Sequence, residues 1–164
     1  MVRRSLFTLI AGIVSLSALL SPAGREACAQ QINLNNTRSL DFGRFVAGSG
    51  GTVVISPTGA RSRTGGVILL NSPTVGQATF SVSKSANGGG NKAVIISLPA
   101  NGSTRLSSGT TNSMAVNAFV NSPATLTTVT TTGTTLSIGA TLTVGANQAP
   151  GAYSGSFPLT VNFQ

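Results

Sequence analysis

The last fourteen residues read Gly151-Ala-Tyr-Ser-Gly-Ser-Phe-Pro-Leu-Thr-Val-Asn-Phe-Gln164, and Tyr153, Phe157, Leu159, Val161 and Phe163 all fall at odd positions with small or polar residues between them. In an extended chain, residues two apart share a face. The spacing therefore predicts a strand with one apolar and one polar face. A second run behaves the same way: Leu136, Ile138, Ala140, Leu142 and Val144 alternate with small or hydroxyl residues over 134–144. A one-sided strand has to bury its apolar face against a sheet of its own chain or of another. Strand exchange between chains is thus the first functional expectation.

The remainder of the chain fits the same period. Gly, Ser, Thr, Asn and Val dominate beyond residue 30, and these residues favour turns and strands over helix interiors. Short apolar runs separated by Gly, Pro and Asn predict strands over 39–46, 52–56, 66–70, 78–83, 93–98, 114–120, 134–144 and 153–163, the pattern of an all-β sandwich or barrel. The run over 134–144 is long enough to bend or change sheets near Gly139. The expected core draws on Phe42, Phe45, Val54, Phe80, Val82, Ile96, Val116, Leu136, Ile138, Leu142, Val144 and Leu159. Turns are expected over 47–51, 56–59, 86–91, 99–102 and 147–151. The Gly48-Ser-Gly-Gly51 stretch resembles a phosphate loop only in its glycines: it joins two strand candidates, opens no helix and lacks a following Lys-Ser or Lys-Thr pair, so a hairpin turn is expected there. The hydroxyl-rich tract over 127–135 reads as a long loop or the polar part of an edge strand.

The beginning of the chain has a different character. Arg3 and Arg4 precede an apolar stretch over 6–20, and Ala27-Cys28-Ala29 supplies a small-residue site. This order reads as a secretory signal peptide over 1–29, cleaved after Ala29, followed by a single β-sandwich domain over 30–164. Cys28 does not read as a lipid anchor, because Arg25 stands where an apolar residue is needed. The apolar stretch is too short for a membrane span, and nothing later is apolar enough for one. A membrane barrel needs aromatic girdles, whereas the chain has one Tyr and no Trp. Cleavage would remove the only cysteine, leaving an exported domain held by its core without a disulfide.

Composition narrows the function classes. The chain has no histidine, and its two acids are Glu26 and Asp41. No metal or cofactor site is expected from so few ligands, and paired-carboxylate chemistry over 30–164 lacks its second acid. A serine nucleophile would have only lysine as its base. The reading is non-enzymatic, with no catalytic residues. The formal net charge is +8, but beyond residue 30 the basic residues Arg38, Arg44, Arg61, Arg63, Lys84, Lys92 and Arg105 are dispersed with few aromatics among them, so nucleic acid is not an expected partner.

Several segments, in order, carry a family likeness: Leu40-Asp-Phe-Gly-Arg-Phe45, Ile55-Ser-Pro-Thr-Gly59, Thr64-Gly-Gly66, Leu136-Ser-Ile-Gly-Ala-Thr-Leu-Thr-Val144, Ala146-Asn-Gln-Ala-Pro-Gly-Ala-Tyr-Ser-Gly155 and Val161-Asn-Phe163. Together they resemble a bacterial family of exported domains of unknown function related to spore coat protein U and to chaperone–usher pilins. The resemblance implies an immunoglobulin-like or pilin-like antiparallel β-sandwich. It also implies a C-terminal strand read by a periplasmic chaperone through β-strand addition. Phe163 matches the penultimate aromatic of such subunits, and Gly151 matches their glycine fourteen residues from the end. Two departures stand out: Pro158 cannot donate to a ladder, and the disulfide of many pilins is missing.

The start of the expected domain, Gln31-Ile-Asn-Leu-Asn35, also alternates. It reads either as a donor strand, with Ile32 and Leu34 as plugs, or as the first strand of a self-complete sandwich. The leading expectation is a fimbrial or surface-coat subunit in the periplasm, on the cell surface or in a fimbria. Ile32, Leu34, Gly151, Phe157, Leu159, Val161 and Phe163 would contact a chaperone or neighbouring subunits. The alternative is a solitary binding module, in which residues 30–36 pair within their own sheet.

Overall fold

The computed structural model of the chain describes residues 31–85 and 93–164; the signal-peptide reading of 1–29 and the turn expected over 86–91 lie outside the described residues. The described residues are all β, without a helix, and every strand pair is antiparallel. The strands are β1 (Ile32–Arg38), β2 (Phe45–Val46), β3 (Gly51–Ile55), β4 (Arg61–Gly65), β5 (Ile68–Leu69), β6 (Ala78–Lys84), β7 (Val94–Ser97), β8 (Thr104–Ser108), β9 (Asn112–Ser122), β10 (Thr134–Val144) and β11 (Thr160–Phe163).

β10 organises the molecule. Its first half pairs with β6 (Thr134↔Val82 to Ile138↔Ala78), and its second half pairs with β3 (Ala140↔Ile55 to Val144↔Gly51). β9 lies along residues from both halves. A strand has two edges, so β6 and β3 share one edge end to end while β9 takes the other. β1 extends the sheet beyond β6, β4 beyond β3, and β8 beyond β9. The sheet curls as the partner changes at Gly139, where the sequence predicts a bend. A Cβ on Gly139 would stand 2.2 Å from the Ile55 carbonyl oxygen and 2.6 Å from the Ser56 carbonyl carbon, so only glycine admits the crossing chain.

Two short ribbons, β2–β5 and β7–β11, complete the strands. The even residues of β10 serve both halves of the core. Ala140, Leu142 and Val144 join Phe42, Val53, Ile55, Val67, Met114 and Val116 in one cluster. Leu136 and Ile138 join Ala78, Val82, Val94, Leu126 and Val129 in the other. Leu40 and Phe119 pack against both.

β9 reaches both clusters through a bulge. Between Gly139↔Val120 and Thr141↔Asn117 the register shifts, leaving one extra residue on β9. Ala118 there has φ 45°, and its N–H donates to Asn101 Oδ1 at 2.7 Å. The extra residue reverses the parity of the strand. Met114 and Val116 point inward at even positions before it, and Phe119 packs inward at an odd position after it.

Some sequence expectations change here. Val53 and Ile55 are buried, whereas Val54, expected in the core, takes the opposite face of β3. The turn over 47–51 does form, with Gly50 N–H donating to the Ala47 carbonyl at 2.9 Å. It is a corner and not a hairpin, because β2 pairs with β5 and β3 with β10 and β4. The 56–59 turn does close the β3–β4 hairpin. The hydroxyl-rich tract leads into central β10, and its Val129 is buried, as is Leu126 just before it.

Candidate functional site

Interaction chemistry in such a fold resides in open sheet edges and in grooves left between strands. β4 and β1 form two edges of the large sheet, and they differ in kind. On β4, Arg61 and Arg63 stand opposite Ile55 and Val53, on the core-facing side of the strand. Arg61 reaches across to donate to the carbonyls of Leu70 (3.0 Å) and Arg44 (2.8 Å). Desolvation by burial lowers the pKa of its guanidinium, and the nearby Asp41 charge opposes that shift. Its Nε is buried without a hydrogen-bond partner among the described residues. Inward-pointing charge of this kind blunts an edge against further pairing.

β1 carries no such charge over residues 32–36. It pairs with β6 from Ile32↔Lys84 to Asn36↔Phe80, with a register shift between Asn36 and Arg38. Ser85 N–H donates to the Gln31 carbonyl at 3.1 Å, which fixes the phase of the ladder. Asn33 and Asn35 therefore bond to β6, while the N–H and C=O groups of Ile32, Leu34 and Asn36 point to the open edge. Ile32 packs against the second core cluster. Leu34 is 38% exposed.

The C-terminal segment keeps its predicted alternation: Tyr153, Phe157, Leu159, Val161 and Phe163 are half-buried and the even residues between them exposed. Regular pairing is confined to 160–163, with Val161↔Ile96 and Phe163↔Val94. Upstream, a single bridge joins Ser154 to Ser107. Phe157 stacks edge-on to Phe80 (centroids 6.3 Å apart) and tilted against Phe119 (5.1 Å). Of the residues expected to contact partners, Ile32, Phe157, Leu159, Val161 and Phe163 are thus brought together on the molecule's own second core cluster. Leu34 sits at the adjacent edge. Gly151 is elsewhere, where a Cβ would meet Ser108 Oγ at 2.5 Å.

Gly151 lines a groove of about 1060 Å³ that runs between residues 40–48 and residues 147–155. Phe42, Leu106, Met114 and Leu142 contribute an apolar lining. Asp41, the only acid among the described residues, also lines it. Both its oxygens are engaged: Oδ1 accepts from Gly43 N–H (2.7 Å), and Oδ2 from the Thr74 hydroxyl (2.6 Å). Asp41 therefore acts as an anchor for the loop after β5, as does Arg38, which donates to the Thr74 and Val75 carbonyls. Tyr153 is fixed similarly, its hydroxyl donating to the Ala149 carbonyl at 2.7 Å and accepting from Gln148 Nε2 at 2.8 Å.

The sequence reading did not single out this groove. The Asp41-Phe-Gly43 spacing was the available signal, since aspartate bonding to the N–H two residues on is a recurrent turn. Among the described residues, no three His, Cys, Asp or Glu side chains converge to hold a metal, and no helix is long and apolar enough to cross a membrane.

Comparison with known proteins adds one finding. A family model described as Domain of unknown function (DUF4402) matches residues 32–163, and the chain belongs to that family. No curated protein and no solved structure matches it.

Proposed function

We propose that this DUF4402 domain is an exported, non-enzymatic interaction module of the bacterial periplasm or cell surface, built as a self-complete immunoglobulin-like or pilin-like sandwich. One observation carries the reading: β1 pairs with β6 of its own sheet, and the C-terminal apolar residues pack on their own core. That pairing and packing support a core covered from within the chain. The engagement of Asp41 in loop anchoring supports the non-enzymatic part, since it leaves no free carboxylate for acid–base work among the described residues.

A second reading is a fimbrial or coat subunit that assembles by β-strand addition, with a periplasmic chaperone and neighbouring subunits as partners. It is favoured by the outer edge of β1, where three residues present backbone groups that no described strand pairs and no blunting charge stands over 32–36. Replacing Ile32 and Leu34 together by Asp separates the two. In the self-complete module the protein is monomeric before and after, and stability falls by about 1–3 kcal/mol because a carboxylate replaces half-buried Ile32. In the subunit the unmodified protein forms multimers and the double variant loses them. Size-exclusion chromatography with denaturant titration reads both quantities. Multimers that vanish in the variant would overturn the self-complete reading.

A further inference from the structure

The described basic side chains are nearly all spoken for. Arg38 and Arg61 hold loop carbonyls. Arg63 donates to the Gly65 carbonyl, and Arg105 to Ser113 Oγ. Lys84 is likewise partnered. Arg44 is the exception: its backbone carbonyl accepts from Leu70 N–H and from Arg61, but its guanidinium has no hydrogen-bond or ion-pair partner among the described residues. It is exposed, and it lines the groove described above.

The surroundings of Arg44 are apolar. Phe42, Met114 and Leu142, all buried core residues, line the groove below it. Val46 and Leu70 line it too and are 48% and 40% exposed. Val46 stands directly opposite Ile68 on the β2–β5 ribbon, so the apolar surface continues out of the groove onto Ile68, which is 55% exposed. Large apolar side chains left contiguous at a rim mark binding surfaces more often than they occur by chance. The one carboxylate in the groove, Asp41, is held by two hydrogen bonds and lies within electrostatic reach of Arg61. The charge left to attract a ligand is therefore positive.

We propose that this groove binds an anionic amphiphile, an apolar chain or ring system carrying one carboxylate, sulfonate or phosphate head, with Arg44 as the partner of the head. Its volume is of the size that encloses small ligands. Guanidinium is suited to a planar or tetrahedral oxyanion, to which it donates two parallel hydrogen bonds. The apolar body replaces water over Phe42, Met114, Leu142, Val46 and Leu70. Ligand binding in this groove does not depend on whether copies of the chain associate.

The test uses the full exported protein with 8-anilinonaphthalene-1-sulfonate as the anionic probe, the uncharged N-phenyl-1-naphthylamine as its neutral counterpart, and laurate as competitor. The anionic probe is expected to bind saturably at one site and to be displaced by laurate. Arg44→Ala is expected to weaken it about 10-fold or more, the loss of one charge-assisted hydrogen-bonded contact. Arg44→Lys should restore much of the affinity, and Arg105→Ala, outside the groove, should change nothing. The Arg44 side chain makes no hydrogen bond or ion pair among the described residues, so circular dichroism should be the same for all variants. Equal binding of the neutral probe, equal losses in the two alanine variants, absence of saturable binding, or binding of an acidic peptide without any binding of the amphiphile would each overturn the proposal.

Discussion

Substituting valine for Gly139 is expected to destabilise the domain by about 3 kcal/mol or more, at the upper end of what overpacking costs. The new side chain would meet backbone and not flexible side-chain ends: the Ile55 carbonyl oxygen at 2.2 Å, the Ser56 carbonyl carbon at 2.6 Å and the Pro57 nitrogen at 2.8 Å from Cβ. Those atoms belong to the end of β3 and its turn, which are held by the β3–β10 and β3–β4 ladders. They cannot yield without opening the place where β10 exchanges β6 for β3. Chemical denaturation should show a lower midpoint with an unchanged slope. A midpoint near that of the unmodified protein would show that β10 does not pass β3 so closely.

Leu136→Ala is expected to cost about 2–5 kcal/mol, as measured for buried leucines elsewhere. Leu136 is fully buried, stands opposite Phe80 on β6, and belongs to the cluster that β7, β11 and Phe157 cover. The β6 ladder holds one side of that site, which limits collapse into the void, so the cavity term adds to the lost transfer energy. Since small domains are stable by only about 5–15 kcal/mol, the variant should accumulate poorly and melt early. The paired change Val54→Ala, on the other face of β3 and only half-buried, should cost clearly less. Equal losses at the two positions would place Val54 back in the core.

The contrast between Leu136 and Val54 also marks where sequence reading succeeds. β10 was legible at 134–144 because five apolar residues alternate without interruption, and one register satisfies them all. Thr52-Val-Val-Ile55 offers adjacent apolar residues, so its parity was set by the partner strand and not by its own pattern. β4 and β8 were not legible. β4 is Arg-Ser-Arg-Thr-Gly and β8 carries a single large apolar residue, Leu106; both are strands because their neighbours supply a ladder. The strand expected over 39–46 is reduced to Phe45–Val46, since residues 40–44 turn about Asp41. The expected C-terminal strand keeps its alternation but pairs regularly only past Pro158, which has no N–H to donate.

The candidate site was legible in the same uneven way. Ile32, Phe157, Leu159, Val161 and Phe163 declared themselves as apolar residues needing cover. Whether that cover comes from the same chain or another is a long-range pairing choice, such as Ile32 with Lys84, which no local pattern encodes. The groove, and Arg44 without a side-chain partner among the described residues, depend on loops brought together from three parts of the sequence.

Amide hydrogen exchange across β1, measured on the purified protein by NMR at a concentration where its mass is also determined, tests self-completeness most directly. A self-complete domain is expected to be a monomer in which the Asn33 and Asn35 amides are strongly protected through their bonds to β6, while those of Ile32, Leu34 and Asn36 exchange quickly at the open edge. Uniformly fast exchange along β1 in a monomer, or protection of all five amides appearing only in multimers, would contradict it.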